Sequence, residues 1–380
     1  MAITEPSFTV GIEEEYLLVD LATMDLANDP PASLLEECRE RCGHPEQVSR
    51  ELLRSQIEVG TRKHATLHGA HEDLRQLRRV VAEVADGYGL APIAASTHPF
   101  AHWSDQKQTE RQRYANLSAQ MAATARRMVI CGMHVHVGID DDELRIDLLS
   151  QMTYFLPHLL VLSTSSPFWE GQNTGLKSYR LTVFDALPRT GLPEHFSSFG
   201  EYQRHVGVLV QAGLIEDATM IWWDLRASAR YPTLETRIFD MCTDINDAVC
   251  MAALTMCILR RLYRLRLNNQ RWRRYNRLLL NENRWRAMRY GSDEGLIDLA
   301  KGELVEFSYL LGEILEEVDE DAQFFGCEGE VAHARTILSR GTSAHQQVAT
   351  YDKAIADGKT HEQALREVVA FLIEGTSRDL

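Results

Sequence analysis

Three consecutive carboxylates interrupt an apolar run near the N-terminus, which reads Val10-Gly11-Ile12-Glu13-Glu14-Glu15-Tyr16-Leu17-Leu18-Val19. Because the side chains of an extended strand alternate between its two faces, Glu13 and Glu15 share one face and Glu14 points to the other. Two residues of strand rise place these two acids ~7 Å apart. Like charges this close raise each other's pKa unless a cation lies between them. The pattern favours ligands of a hard divalent metal, although charges that blunt an exposed edge strand give the same pattern.

Two later segments repeat this arrangement of polar residues on one face. In the segment from Glu51 to Thr61, Glu58 alternates with apolar residues, and Glu51 lies at its approach. The segment Met133 to Gly138 places His134 and His136 on one side and its valines on the other. A single histidine there is most often a core residue. Two histidines at i and i+2, bracketed by glycines that admit a close approach to the backbone, favour a site.

A third segment, Tyr231 to Asp240, places Glu235 and Arg237 on a shared face, an arrangement that also fits an ordinary cross-strand ion pair. The collected donors are mainly carboxylate oxygens with a few nitrogens, a set that suits Mg²⁺ or Mn²⁺ better than zinc. Mg²⁺ in such sites is completed by water and phosphate oxygens, so the set points to a nucleoside triphosphate, ATP being the usual one. Five arginines are candidates for neutralising its phosphates: Arg180, Arg189, Arg226, Arg230 and Arg237.

Several common sites are excluded. The chain has no GxxxxGK[ST] loop and no strand-borne GxGxxG, so the nucleotide site is of another kind. HExxH and GxSxG are also missing, which removes the usual zinc protease and serine hydrolase motifs. The segment from Asn281 to Gly291 mixes polar, aromatic and basic residues as substrate-contacting loops or helix ends do, and within it Asn283 and Arg289 are candidate substrate or ATP contacts, together with His136.

Taken in order, these motifs resemble the carboxylate–amine ligases related to type 2 glutamate–cysteine ligase, which share the catalytic architecture of glutamine synthetase. The resemblance spans roughly residues 8–291. It implies that Arg237 contacts phosphate, and Trp223-Asp224-Leu225-Arg226 also fits the ligase pattern, which makes Arg226 a second catalytic candidate. The metal ligands that it implies are Glu13, Glu15, Glu51, Glu58, His134 and Glu235.

The same resemblance implies the fold and the reaction. The expected fold is α+β, with a curved, mostly antiparallel sheet forming a funnel and helices packed on its convex side. The spacing of the strands alone is compatible with parallel or antiparallel pairing. The implied reaction activates the γ-carboxylate of glutamate with ATP as an acyl phosphate, which the amine of cysteine attacks. We expect one catalytic domain over residues 1–380, with a helical portion from about residue 292.

Composition and charge argue against some classes of protein. The net charge of −15 argues against nucleic-acid binding, and the arginine-rich segment from Arg260 to Arg277 is expected to form a solvated helix face paired with acids near residues 316–320. Seven cysteines without a CxxC pair fit free thiols in a cytoplasmic protein. The uncharged stretch 148–168 contains Pro157 and His158, so a buried helix is expected there and not a membrane span. The long apolar helices offer surfaces for a homodimer.

Two other functions fit parts of the pattern. A metal-dependent hydrolase of amides or phosphate esters would use the same acids and histidines to activate water, and it would turn over without ATP. A binding protein that kept the fold would bind metal or nucleotide without turnover.

Overall fold

The computed structural model describes residues 4–110 and 120–380. The strands are β1 (Val10–Asp20), β2 (Val48–Arg50), β3 (Gln56–Gly60), β4 (Leu90–Ile93), β5 (Met133–Gly138), β6 (Phe168–Trp169), β7 (Gln172–Asn173), β8 (Thr190–Gly191), β9 (Trp222–Trp223), β10 (Leu225–Ala227), β11 (Thr233–Thr236), β12 (Leu296–Asp298) and β13 (Glu303–Val305).

Helices surround these strands and make up most of the C-terminal part. They are α1 (Ala32–Arg41), α2 (Leu67–Asp86), α3 (Ala123–Arg126), α4 (Asp142–Met152), α5 (Leu156–Ser163), α6 (Arg180–Phe184), α7 (Phe199–Gln211), α8 (Ile245–Leu267), α9 (Arg277–Tyr290), α10 (Phe307–Glu317), α11 (Asp319–Phe325), α12 (Glu328–Arg340), α13 (Ser343–Ala356) and α14 (His361–Thr376).

β1 lies inside a seven-stranded sheet whose order is β10-β11-β5-β1-β3-β2, with β4 paired to the end of β1. Every pairing within this sheet is antiparallel. Its neighbours in space come from distant parts of the chain, and the connections between them carry helices. The expected α+β class and mostly antiparallel sheet are therefore confirmed.

Helices cover one face of this sheet. α2 and α8 contact β1, and α14 packs on β4. The residues of β1 and β5 that point to them, among them Ile12, Tyr16 and Val135, are buried. The alternation read from the sequence thus separates an apolar face under the helices from a polar face on the opposite side.

One acid of β1 points into the helix-covered face. Glu14 is fully buried and accepts hydrogen bonds from Arg78 of α2, at 2.7 Å from Nε and 2.6 Å from Nη2. Arg78 also donates to the carbonyls of Cys242 and Thr243, at 2.9 Å each, and the Tyr16 hydroxyl bonds Glu14. The buried charge is thus paired and its hydrogen bonds are satisfied, as a charge in an apolar layer requires.

One local prediction is wrong and two differ in extent. The pattern Tyr179-Arg180-Leu181-Thr182-Val183-Phe184 predicts a strand that begins with Arg180, but residues 180–184 form helix α6, because buried Leu181 and Val183 alternate over too short a run to separate the two periods. The apolar helix predicted within 143–163 is present, but a 3₁₀ turn at Thr153–Phe155, before Pro157, interrupts it. The strand expected over 51–61 begins only at Gln56. The segment from Gln108 to Arg127 predicts a helix, of which residues 111–119 lie outside the described residues.

The loop after β4, Ser96-Thr97-His98-Pro99-Phe100, has a composition typical of loops that line a pocket, but it is buried beside the sheet. His98 is 2% exposed, and its Nδ1 accepts from the backbone N–H of Phe100 and Ala101, at 3.2 and 2.9 Å. Its Nε2 lies 3.1 Å from the carbonyl oxygen of Met24, to which it donates. Burial lowers the pKa of His98 to about 3, so the ring is neutral in the folded protein.

Acidification should therefore destabilise the fold through His98. The unfolded chain protonates this ring near pH 6.5 and the folded protein only near pH 3, so stability is full above pH 6.5 and is lost as the pH falls. Between pH 7.5 and pH 5 we expect a loss of about 2 kcal/mol from this group. Urea unfolding of the wild type and His98→Gln at both pH values measures it. An identical pH dependence in both proteins would contradict the assignment.

The C-terminal helices share the main hydrophobic core with the sheet, since buried residues from Phe307 to Leu372 belong to the same cluster as those of β1. The helix predicted over the arginine-rich segment 260–277 is confirmed only up to Leu267, where Arg261 pairs with Glu317, and Arg264 with Glu320 and Asp321. Residues 268–276 are not helical, and Arg271 pairs with Asp147 of α4 instead. Within the described residues, no helix has the length and apolarity needed to cross a bilayer.

Candidate active site

The polar face of the sheet forms the floor of a cavity of about 990 Å³. Strands β1, β3, β5, β10 and β11 all contribute side chains to it. Of the residues predicted to form the site, eleven line this cavity: Glu13, Glu15, Glu51, Glu58, His134, His136, Arg180, Arg226, Arg230, Glu235 and Arg237. Side chains predicted from separate stretches of the sequence are thereby brought together.

The antiparallel registers explain this convergence. Glu13 of β1 is paired with His134 of β5, and Glu15 is paired with Glu58 of β3. On the other side, Glu235 of β11 lies between His136 and Arg226. Directly paired residues have Cβ atoms ~5 Å apart, so acids, imidazoles and guanidinium groups form one continuous polar row.

Glu13 lies beside both histidines. Its Oε2 is 3.0 Å from His134 Nδ1 and its Oε1 is 3.3 Å from His136 Nε2. Burial alone would raise the pKa of Glu13, but the two imidazoles beside it hold the pKa well below its usual value. Burial and the charge of Arg237 lower the pKa of His134 to about 4, so this ring is neutral at pH 7 and donates Nδ1–H to Glu13.

Three possible ligand atoms lie close together, and the histidine among them is His136, which was not the one expected as a metal ligand. One ligand atom each from Glu13, His136 and Glu235 lie within 4.8 Å of one another. His136 also contacts Thr233, with 3.0 Å between Nδ1 and Oγ1, and its buried Nε2 has no well-aligned hydrogen-bond partner within the described residues. The sequence motif had placed His134 among the ligands and His136 among the substrate contacts.

A second group of acids lies on the other side of Glu13. Glu15 accepts a hydrogen bond of 2.7 Å from the N–H of Gly132, and burial together with the charge of Glu58 raises its pKa to about 7. Burial also raises the pKa of Glu58 well above its usual value, as do its hydrogen bond to Glu51 and the charge of that residue. Buried carboxylates that repel one another form the environment that a divalent cation relieves.

Two arginines bind the remaining acid. Arg226 donates hydrogen bonds from Nε and Nη2 to the two oxygens of Glu235, at 2.8 and 3.0 Å, and Arg237 donates to the same carboxylate. Burial would raise the pKa of Glu235, but Arg237 and Arg226 outweigh it and hold the pKa far below its usual value. Glu235 is therefore ionised, and both guanidinium groups are held at the cavity wall.

Arg180 enters the cavity from α6 and is only 3% exposed. Its Nη2 donates to the carbonyl of Arg237 at 3.3 Å, whereas its Nε and Nη1 have no partner within the described residues. The guanidinium lies so close over Gly132 that a Cβ at that position would overlap it. A buried cation with two unused donors is suited to binding an anion.

Three predicted contact residues lie elsewhere. The guanidinium of Arg189 donates to the carbonyl of Met220 at 2.9 Å and packs over Trp222, behind the cavity wall. Asn283, which is 1% exposed, bonds the backbone of Ile297 at both ends of its amide. Arg289 donates to the carbonyl of Gly175. These three are structural contacts, and the segment 281–291 is mostly the helix α9.

Some residues that line the cavity were not predicted from the sequence. Gln47, Ser49 and Arg50 belong to β2 and the turn before it, and Ser49 donates to Glu58 at 3.1 Å. A three-residue strand is too short to show an alternation, so the only available signal was its position just before Glu51. Tyr231 at the β10–β11 turn is a 59% exposed aromatic at the cavity rim, and a Tyr-Pro pair in a turn gives no indication of this role.

Comparison with known proteins shows the family to which the chain belongs. The sequence model of "Glutamate-cysteine ligase family 2(GCS2)" matches residues 9–370. A protein of Rhodospirillum rubrum named "Putative glutamate--cysteine ligase 2" is 60% identical over 374 residues, which are 98% of this chain and 96% of that protein. A protein of the same name from Jannaschia sp. is 52% identical over 99% of both chains.

Solved structures share the fold. The glutamate–cysteine ligase of Francisella tularensis, in complex with AMP, superposes with a TM-score of 0.70 at 13% identity and covers 100% of this chain and 90% of its own. A bifunctional glutathione synthetase of Pasteurella multocida gives 0.69 at 13% identity, over 97% of this chain and 53% of its own. With the family model matching nearly the whole length and relatives of more than half identity, the chain belongs to glutamate–cysteine ligase family 2.

Proposed function

We propose that this protein is an ATP-dependent carboxylate–amine ligase of the glutamate–cysteine ligase type. The observation that carries the proposal is the polar row across the sheet, in which acids, imidazoles and arginines from five strands line one cavity. The names of the relatives, which match over nearly all of both chains, support glutamate as the carboxylate and cysteine as the amine. The seven free cysteines suit a cytoplasmic enzyme, and we propose that the whole chain acts as one catalytic unit.

The residues fit Mg²⁺ or Mn²⁺. Burial and neighbouring carboxylates raise the pKa values of Glu15 and Glu58, a repulsion that a bound cation would relieve, and oxygen donors dominate the set. We assign one ion to Glu13, His136 and Glu235, with His134 beside them, and further ions to Glu15, Glu51 and Glu58. Bound there, such ions would neutralise phosphate oxygens and polarise the phosphoryl group.

The chain's own residues supply the rest of the chemistry. In the proposed reaction a γ-carboxylate oxygen bonds to the γ-phosphorus as ADP leaves, and the amine nitrogen then bonds to the acyl carbon as phosphate leaves. Arg237 and Arg226 offer fixed positive charge where negative charge develops, and they need no reorganisation because Glu235 holds them. Arg180 offers two free donors to an anionic group. Burial at the cavity floor keeps water from the acyl phosphate.

An amine-acceptor screen tests this proposal. We expect the protein to release ADP and phosphate only when Mg²⁺, ATP, glutamate and an amine are all present, with cysteine as the first amine to try. Coupled detection of ADP, with omission of each component in turn, is the measurement. ATP turnover that ignores every acid and amine would count against a ligase, and hydrolysis of amides or phosphate esters without ATP would favour the metal-dependent hydrolase.

A further inference from the structure

We propose that Arg284, which lies outside the cavity on α9, is the positioning residue that sets both Arg180 and Arg237 in the cavity. The proposal rests on the ligase function only for the meaning of these two arginines. Arg284 is 7% exposed and bonds two carboxylates at once. One belongs to Asp224, just before β10, and the other to Asp185, just after α6.

The first connection runs to Arg237. Arg284 Nε and Nη2 donate to the carboxylate of Asp224, at 2.6 and 3.2 Å. The backbone carbonyl of the same aspartate accepts from the N–H of Arg237, at 2.8 Å, and from that of Ile238, at 3.1 Å. Two residues opposing one at the end of the β10–β11 pair form a bulge, which re-aims the side chain next to it. The position of Asp224 therefore sets the direction in which Arg237 leaves the strand.

The second connection runs to Arg180. Arg284 Nη1 and Nη2 donate to Asp185, at 2.6 and 2.9 Å. Asp185 directly follows α6, a helix of five residues that begins with Arg180, and its N–H bonds the carbonyl of Leu181 at 2.8 Å. A displacement of Asp185 is therefore transmitted across little more than one turn. One planar guanidinium thus joins the two segments that carry the cavity arginines, a task suited to its fixed fork of donors.

The charge of Arg284 also affects Arg180. Burial would lower the pKa of Arg284, but Asp224 and Asp185 raise it, so the residue is charged. Arg180 feels negative charge from Asp240, Glu15 and Asp224 and positive charge from Arg237. Without Arg284, the two aspartates would act on Arg180 uncompensated, and an incoming anion would bind less well.

The test compares Arg284→Lys with Arg286→Met. Lysine keeps the charge but cannot bond both carboxylates with a planar fork, and Asp185, whose side chain is 32% exposed, can be rehydrated, so this variant should fold. Arg286 is the control, since it lies on the same helix and its side chain is 14% exposed, but it donates to the carbonyls of Glu294 and Gly295 and pairs with the Glu294 carboxylate instead of with Asp224 or Asp185. Asp185→Ala serves as a second variant that releases α6 alone.

We expect Arg284→Lys to lower kcat by about 10²-fold, as misplacement of a catalytic group by ~1 Å does. Calorimetric binding of tripolyphosphate with Mg²⁺ should weaken about tenfold, the effect of one lost charge-assisted hydrogen bond. Affinity for Mg²⁺ alone should stay unchanged, because the acids are not moved. Asp185→Ala should weaken tripolyphosphate binding and Arg286→Met should leave both quantities as in the wild type.

A folded Arg284→Lys with wild-type kcat and tripolyphosphate affinity would overturn the proposal, as would an equal loss in Arg286→Met. An equal loss of Mg²⁺ affinity would also overturn it, because the damage would then be general. Should the wild type make no ADP with any acid and amine, the ligase function fails, and the tripolyphosphate measurements still decide the role of Arg284.

Discussion

Replacement of Glu13 by glutamine is expected to reduce amine-dependent ADP formation by about 10³-fold, the upper range for loss of one group that stabilises charge in a transition state. Glu13 joins the two parts of the site, since it contacts both His134 and His136 and lies next to the group formed by Glu15 and Glu58. Glutamine has the same shape but no charge, so it can keep the packing while losing the ligand that a hard cation prefers.

Folding and metal binding should separate in this variant. Thermal melting of Glu13→Gln should remain cooperative, whereas the rise in Tm that Mg²⁺ gives the wild type should disappear. Glu58→Gln should also lose activity, and without Mg²⁺ it should melt at a higher temperature than the wild type because a repelling carboxylate has gone. Glu46→Gln, at the exposed rim of the cavity, is the control. Retained Mg²⁺ stabilisation in Glu13→Gln would show that the acid is not a ligand.

Arg78→Met is expected to lower the free energy of unfolding by ~3–5 kcal/mol, the usual cost of removing one partner of a buried ion pair. The change leaves the Glu14 carboxylate without its cation in a layer from which water is excluded. It also removes the donor to the carbonyls of Cys242 and Thr243, just before α8. The loss of packing is small by comparison, since methionine fills much of the same volume.

Urea unfolding measures this loss of stability, and two further variants serve as comparisons. Arg75→Met, on the exposed side of the same helix, removes only a surface pair with Glu72 and should change stability by less than ~1 kcal/mol. The double variant Arg78→Met with Glu14→Met should recover much of the loss, because two apolar side chains often replace a buried pair at little cost. Equal effects of Arg75→Met and Arg78→Met would refute the claim that the buried pair stabilises the fold.

Alternation along strands was the most informative property of the sequence. It separated Glu13 and Glu15 from Glu14 correctly, and it placed His134, His136 and Glu235 on faces that the fold brings together. Strand pairing itself was not visible, because parallel and antiparallel arrangements fit the same spacing. The arrangement of the sheet was expected only from the resemblance to known ligases.

Side chains outside strands were harder to place. Arg180 reaches the cavity from a five-residue helix, and a run of five residues cannot distinguish a period of 2 from one of 3.6. Asn283 and Arg289 resembled substrate contacts by composition, yet their partners are backbone groups that only the folded chain brings near. Arg284, in the same segment, was overlooked because a buried link between two aspartates has no local pattern.

The run of three glutamates in β1 could allow the strand to pair out of register, and Arg78 opposes this. A slip of β1 by one position against its neighbours would turn Glu14 toward the cavity and push Glu13 and Glu15 under the helices. Because all three side chains are glutamates, the cavity face would still carry a carboxylate after such a slip. The Arg78 guanidinium beneath the sheet also donates to the carbonyls of Cys242 and Thr243, which leaves it room for one carboxylate from β1. Only the observed alignment gives it that one carboxylate and keeps the other two on the cavity face.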